Sequence, residues 1–250
     1  METDISLVLF LVIVAIFALA GLVKGVVGLG LPTISMALLA LLMSPAQAAA
    51  LLVVPSLITN IWQARPLSTL MPLIRRVGGM QLGIGAGTLV GALVMGAPAG
   101  AWASVSLGAA LIAYAAWGLF GMPLAVSTQA EKWLGPLTGV LTGMVAAATG
   151  VFVVPAVPYL QALGLGREDL IQAMGISFTV STVALAAGLW INDSYSVQAA
   201  GASVIMLIPA LMGMYAGQLL GKSLPPQVFR TCFLISLAVL GCYQVLQEML

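Results

Sequence analysis

Residues 21–35 read GLVKGVVGLGLPTIS, and residues 139–155 read GVLTGMVAAATGVFVVP. Each stretch opens with two glycines four residues apart inside an apolar segment, passes through small residues, and reaches a proline that starts a second, short apolar run. In water this pattern makes a poor helix, because glycine and proline destabilise helix interiors. In a lipid bilayer, interrupted apolar segments at matching positions in two halves of a chain are typical of a secondary transporter's binding site.

The composition places the chain in a membrane. Of its 250 residues, 62% are hydrophobic and 6% are charged, there is no histidine, and the mean hydropathy is +1.16. A soluble domain carries about 25% charged residues, so this chain could not cover its surface with polar groups. A net charge of +1 offers no basic face, so we expect the lipid bilayer as partner and no nucleic acid. The N-terminus lacks the positive start of a signal peptide and is expected to remain as the first spanning segment.

Ten apolar segments follow one another with no linker or soluble domain between them. Most approach the ~20 residues that a helix needs to cross the hydrocarbon core. The second and seventh, with about a dozen residues each, are predicted to be half-helices that turn back near the middle of the membrane, or one arm of a bent hairpin. We therefore predict an all-α, polytopic membrane protein of about eight to ten helical segments. The segments are residues 5–27, 32–43, 46–63, 77–96, 100–120, 133–149, 153–163, 169–191, 197–221 and 228–248.

Internal similarity indicates a duplication. Gly21 and Gly25 match Gly139 and Gly143 at an offset of 118, and glycines recur every four residues in the fourth and ninth segments. Small residues four apart let helices approach closely in lipid, so we expect these ladders to serve helix packing. Each half contains five segments, an odd number, so the second half is inverted relative to the first. The prediction is one membrane domain built from two inverted repeats, residues 1–122 and 123–250, an architecture common among transporters.

The charged residues predict the orientation. Basic residues prefer cytoplasmic loops. With both termini outside the cell membrane (the inner membrane, in a cell that has two), a count of crossings leaves Asp193 and Glu248 outside. The same count places all the basic residues inside or towards the inside: Lys24, Arg65, Arg75, Arg76, Lys132, Arg167, Lys222 and Arg230.

Two polar stripes lie in the third and eighth segments. On the third, the side chains at positions i, i+3, i+4 and i+7 share one face of a helix. Facing each other, the stripes would line a cavity near the two interrupted helices; the alternative is hydrogen bonding between helices, which is common and modest in strength. The stripe residues are Ser56, Thr59, Asn60 and Gln63 on the third segment, and Gln172, Thr179 and Thr182, with Ser177 and Ser181 beside them, on the eighth.

Such a cavity suits an anion. No Asp or Glu lies in the interior of an apolar segment, so we expect neither a metal nor another cofactor. Hydroxyls, amides and the free N–H groups of half-helix starts are donors for an oxyanion. Lys24, which would be costly inside the membrane, either binds the anion or extends to the headgroups. The predicted binding residues are Lys24, Gly28, Gly30, Thr33, Ser56, Thr59, Asn60, Gln63, Thr149, Gly150, Gln172, Ser177, Thr179 and Thr182, with hinges at Gly25, Pro32, Gly143 and Pro155.

The two glycine-rich, proline-ended motifs, the duplication and the length resemble the TauE/SafE sulfite exporter family. The strongest match is Gly21-x-x-x-Gly25-x-x-Gly28-x-Gly30 with the later run of alanines at 48–50, and the resemblance covers essentially the whole chain. The chain departs from the family pattern at Leu29, which interrupts the usual adjacent glycines, and at the alanines 146–148. The resemblance implies export of sulfite, an organosulfonate such as sulfoacetate, or a related small sulfur oxyanion.

Other classes of function find less support. An enzyme would need a nucleophile or an acid–base set, and the chain has no histidine, no buried carboxylate in its segments and no paired cysteines. A nucleotide-driven machine would need a phosphate-binding loop, which is absent from the sequence. The alternatives left open are a non-transporting accessory or assembly protein and a carrier for another small carboxylate or oxyanion. The sequence is also compatible with a homodimer.

Overall fold

The computed structural model describes residues 2–122, 124–222 and 226–249, and within these ranges every regular element is helical. Seven of the helices (α1, α3, α4, α5, α8, α9 and α10) are long and apolar enough to cross a membrane, which confirms a polytopic helical membrane protein. The helices are α1 (Glu2–Val27), α2 (Leu31–Leu39), α3 (Pro45–Gln63), α4 (Leu67–Met95), α5 (Gly100–Phe120), α6 (Thr128–Thr149), α7 (Ala156–Ala162), α8 (Arg167–Ile191), α9 (Val197–Leu220) and α10 (Pro226–Met249).

Two helices start at least five residues earlier than the sequence predicts. Helix α4 begins at residue 67 rather than 77, and α6 begins at residue 128 rather than 133. Both extensions carry charged residues, which the hydropathy pattern assigned to loops. Arg76 of α4 forms a salt bridge of 2.8 Å to Glu131 of α6 and also donates to the carbonyl of Leu163 at 3.0 Å. This pairing joins the two extensions, and both helices continue past the apolar part of their sequences.

Glycines set the two helix interruptions. Gly28 and Gly30, between α1 and α2, have φ angles of 80° and 119°, and Gly150, at the end of α6, has a φ of 68°. Residues with a side chain rarely adopt this left-handed conformation, so the chain leaves the helix where glycine permits it. The short helices that follow are briefer than predicted: α2 covers residues 31–39 instead of 32–43, and α7 covers 156–162 instead of 153–163.

The glycine ladders bring two pairs of helices into close contact, as predicted. Helix α1 packs along α9, and α4 packs along α6. A Cβ added at Gly25 would lie 2.2 Å from the carbonyl oxygen of Met214, and one at Gly139 would lie 2.2 Å from that of Met80. No side chain fits between these backbones, so the ladders are packing surfaces. The boundary between the two predicted repeats falls at residue 123, outside the described residues, and the duplication stays a prediction.

Every lysine and arginine of the chain lies at one end of the helix bundle, which we call the basic end. Helices α1, α3, α5 and α9 finish there, and α4, α6, α8 and α10 begin there. The opposite end carries Asp193, in the turn between α8 and α9, and Glu248, near the end of α10. The eight basic residues are Lys24, Arg65, Arg75, Arg76, Lys132, Arg167, Lys222 and Arg230.

Candidate functional site

A cavity of ≈ 470 Å³ lies at the basic end of the bundle, and we call it the basic cavity. The ends of α1, α3 and α9, the second half of α5, and the beginnings of α8 and α10 surround it. Three cationic residues line it: Lys24, Arg167 and Arg230. None of the described residues that line it is an aspartate or glutamate. The charged side chains in the described lining are therefore all cationic.

Lys24 is the most buried of these cations. The residue is 3% exposed, and its ammonium donates to Oγ1 of Thr59 at 3.0 Å and to Oδ1 of Asn60. No carboxylate pairs with it among the described residues. An ammonium has three N–H donors, so the two protein acceptors leave one donor for the cavity. A buried cation without a counterion is costly, and a bound anion would relieve that cost.

A second row of hydrogen bonds holds Lys24 in place. Asn60 donates from Nδ2 to Oγ1 of Thr182 at 3.3 Å, so Lys24, Asn60 and Thr182 join α1, α3 and α8. The hydroxyl of Thr59 donates to the carbonyl of Pro55 at 2.7 Å, which leaves its lone pairs to accept from Lys24. Both acceptors of the ammonium are therefore themselves oriented by neighbouring groups.

Gln63 secures the interruption between α1 and α2. Its Nε2 donates to the carbonyl of Gly28 at 2.8 Å and to that of Ile171 at 3.1 Å. Gly28 and Gln63 both line the basic cavity. Since the amide uses both of its hydrogens on backbone carbonyls, its role is to tie the interrupted chain to α3 and α8.

The structure thus brings together only part of the predicted binding set. Lys24, Gly28, Thr59 and Gln63, with the predicted hinge Gly25, line the basic cavity. Asn60 and Thr182 lie directly behind Lys24.

The remaining predicted residues of α3 and α8 make contacts away from the cavity lining. Ser177 accepts from Gln81 of α4 at 2.9 Å, and the hydroxyl of Thr179 donates to the carbonyl of Gly175 at 2.7 Å. The amide of Gln172 donates to two carbonyls in the turn between α3 and α4, at 2.8 and 2.7 Å. Ser56 is fully buried, and no described group bonds its hydroxyl. Ser177 and Gln172 thus connect helices, and Ser56 lies in the core. Thr179 is half-buried and bonds within its own helix.

Residues at the two interruptions also lie outside the lining. The hydroxyl of Thr149 donates to the carbonyl of Val145 at 2.6 Å. A side chain at Gly30 would meet Val23 and Phe233, and one at Gly150 would meet Met36. Three further predicted positions lie in packed surroundings: Thr33 and Pro32 are buried in α2, and Gly143 packs against the backbone of α4. Pro155 directly precedes α7.

Two arginines and a tyrosine are among the cavity residues that were not predicted as binding residues. Arg167 and Arg230 entered the sequence argument only as charges that orient the chain, and Tyr114 in α5 not at all. Tyr114 is 5% exposed and lines the cavity together with Arg230. A basic residue at the first turns of an apolar segment is a signal that could have identified the arginines. No local pattern distinguishes Tyr114.

Comparison with known proteins agrees with the family resemblance. The family model described as "Sulfite exporter TauE/SafE" matches residues 13–244, a range that includes every residue of the basic cavity. No curated protein and no solved structure matches the chain.

Proposed function

Since the chain belongs to the TauE/SafE sulfite exporter family, we propose that it is a secondary transporter that exports a small sulfur oxyanion. The substrate class is sulfite or an organosulfonate such as sulfoacetate. The seven helices able to cross a membrane fit a transporter.

The observation that carries the proposal is the charge of the basic cavity. Lys24, Arg167 and Arg230 line it, and no described lining residue is a carboxylate. The three cations would repel a cation or an amine, whereas a sulfite or sulfonate group would accept hydrogen bonds from these charged donors. Such charge-assisted bonds are roughly twice as strong as neutral ones.

The location of the cavity supports export. Basic residues favour the cytoplasmic side of a membrane, so we assign the basic end to the cytoplasm and both termini to the outside. In this orientation the basic cavity opens towards the cytoplasm, where an exported anion must bind.

The lining of the cavity favours an organosulfonate over a bare inorganic ion. Trp62, Leu170, Ile171 and Met174 give the cavity an apolar side next to its cations. An alkyl sulfonate can place its anionic group on the cations and its carbon chain against this side. Sulfite, which has no carbon chain, would use only the cationic part.

Alternating access would then move the anion past the midplane. The helical chain is interrupted at Gly28, beside the basic cavity, and at Gly150, which is buried, and such discontinuous helices are typical of transporters that rock around a central site. Movement of one predicted repeat against the other would close the basic cavity and open the site to the opposite side of the membrane.

An export assay in cells tests this function. Cells that express the chain are loaded with labelled sulfoacetate, washed, and followed for release of label into the medium. We expect faster release than from cells that express the Lys24→Met variant at the same level. Equal release from both, with both proteins in the membrane, would contradict export through the basic cavity.

A further inference from the structure

A second cavity lies at the end opposite to the basic end. It has a volume of ≈ 570 Å³, and we call it the acidic cavity because Asp193 is the charged residue among those that line it. Its other lining residues belong to the beginning of α1, the turn before α3, the first half of α3, and the chain around the start of α9. Helices α1, α3 and α9 therefore line both cavities, one at each end.

We propose that the acidic cavity is the vestibule into which the transported anion is released, and that Asp193 lowers the affinity of this vestibule for anions. The proposal rests on the proposed function. It assigns a site and a residue to the release step, and it predicts that the carrier resists rebinding of the anion from the outside.

A short stretch of α3 separates the two cavities. Leu51 lines the acidic cavity and Thr59 lines the basic cavity, so the barrier spans the two helical turns between them. Pro55 and Ser56 within this stretch are buried, as is Phe17 of α1. In the proposed path the anion passes this stretch as it moves from the basic cavity to the acidic cavity.

Within the barrier, α3 lacks one of its regular backbone hydrogen bonds, because Pro55 lies inside the helix. Pro55 has no N–H, so the carbonyl of Leu51 loses its normal partner in the helix. Ser203 of α9 supplies the replacement: its hydroxyl donates to the carbonyl of Leu51 at 2.7 Å and accepts from the N–H of Val54 at 3.0 Å. Ser203 of α9 thus stabilises α3 at the position where Pro55 interrupts the backbone hydrogen bonds of α3.

The two cavities differ in charge: the basic cavity attracts an anion, as uptake from the cytoplasm requires, and the acidic cavity repels it, as release requires. An anion in the basic cavity meets three cations, whereas an anion in the acidic cavity meets the Asp193 carboxylate and no cation among the described lining residues. For charges roughly 8 Å apart in a solvated cavity, Coulomb's law gives a repulsion that weakens binding about two- to five-fold. The released anion therefore leaves a site that holds it weakly.

The experiment measures the sulfoacetate concentration that gives half-maximal uptake, separately from the face that bears the basic cavity and from the face that bears the acidic cavity. The full chain is reconstituted in liposomes, its orientation is determined by protease access to a terminal tag, and uptake of labelled sulfoacetate is measured from each face. Asp193→Asn is the variant, because asparagine tolerates the left-handed backbone that Asp193 adopts, with a φ of 54°. Glu248→Gln is the matched control, an exposed carboxylate at the same end that does not line the cavity.

We expect the wild-type half-saturation concentration to be higher at the face that bears Asp193. Asp193→Asn should lower it about two- to five-fold at that face only, and Glu248→Gln should change neither face. An unchanged value for Asp193→Asn, or the same shift in Glu248→Gln, would overturn the role of Asp193. Lack of saturable flux in the wild-type protein would instead overturn the proposed function.

A labelling experiment tests the vestibule itself. In a chain with Cys232 and Cys242 replaced by serine, Ser196→Cys is placed in the acidic cavity and treated with a bulky, membrane-impermeant thiol reagent from that face. Modification should inhibit flux, whereas modification of an Ala101→Cys control, exposed at the same end outside the cavity, should not. Complete modification at position 196, established by mass spectrometry, with normal flux would remove the cavity from the pathway.

Discussion

Replacement of Lys24 by methionine separates the binding role of this residue from its structural role. Methionine has a similar length but no charge, so the cavity keeps its shape and loses one donor to the anion. A hydrogen bond to a charged partner contributes about 1.5–3 kcal/mol. At 1.4 kcal/mol per factor of ten, the dissociation constant of the anion should rise about 10- to 150-fold.

The same substitution should leave the folded protein intact. Asn60 Oδ1 loses its described donor, and an unsatisfied buried acceptor costs about 1–3 kcal/mol. Thr59 keeps its own hydrogen bond to the carbonyl of Pro55. Against this cost, the change removes a buried ammonium with no described carboxylate partner, whose desolvation costs several kcal/mol. The temperature of unfolding without ligand should therefore stay the same or rise.

Two measurements on the purified protein check this prediction: equilibrium binding of labelled sulfite and sulfoacetate, and thermal unfolding without ligand. Lys132→Met is the matched control, because Lys132 is an exposed lysine at the basic end that does not line the basic cavity. Wild-type affinity in a folded Lys24→Met protein would refute the reasoning. An equal loss of affinity in Lys132→Met would show that the affinity depends on the net charge of the basic end and not on contact with Lys24.

Three further substitutions test packing and the barrier. Gly139→Leu should destabilise the protein by at least about 1–3 kcal/mol, because no side chain fits between α4 and α6 there, whereas Gly78→Ala, with open space around it, should not; thermal unfolding distinguishes them. Ser203→Ala should lower the free energy of unfolding by about 1–3 kcal/mol, because the carbonyl of Leu51 in α3 loses its donor. Ser181→Ala, at a buried hydroxyl without a described partner, should leave the stability unchanged or raise it, and equal effects of the two substitutions would contradict the role of Ser203. Asn60→Leu should lower anion flux about tenfold in folded protein, because the Lys24 ammonium loses the acceptor that positions it. Normal flux would show that Asn60 serves only helix packing.

The two interruptions occur at Gly28 and Gly150, which have a left-handed φ. Sequence reasoning correctly ended α1 and α6 at residues 27 and 149, although it placed hinges at Gly25 and Gly143, which lie inside these helices. It was wrong for the start of α4, which it placed ten residues late, at 77 instead of 67. The charge of Arg76 indicated a loop, and its partner Glu131 is 55 positions away in the chain. Such a pairing is decided by tertiary contacts that local hydropathy does not contain.

The same distinction applies to the site. Helical periodicity brought Thr59 and Gln63 onto one face of α3, and Lys24 stood out as a costly charge in an apolar segment; all three line the basic cavity. Tyr114 and Arg230 were not identified as binding residues, since they reach the cavity only through the packing of α5 against α10. Residues that meet through distant helices carry no shared pattern in the sequence.

Counterflow in liposomes tests the central claim most directly. Liposomes that contain the purified protein are preloaded with unlabelled sulfite or sulfoacetate, and entry of the labelled anion is followed without any imposed gradient of a coupling ion. We expect saturable exchange that competing sulfonates inhibit and that amines and metal ions do not. No exchange of any small oxyanion by protein shown to be folded would contradict it.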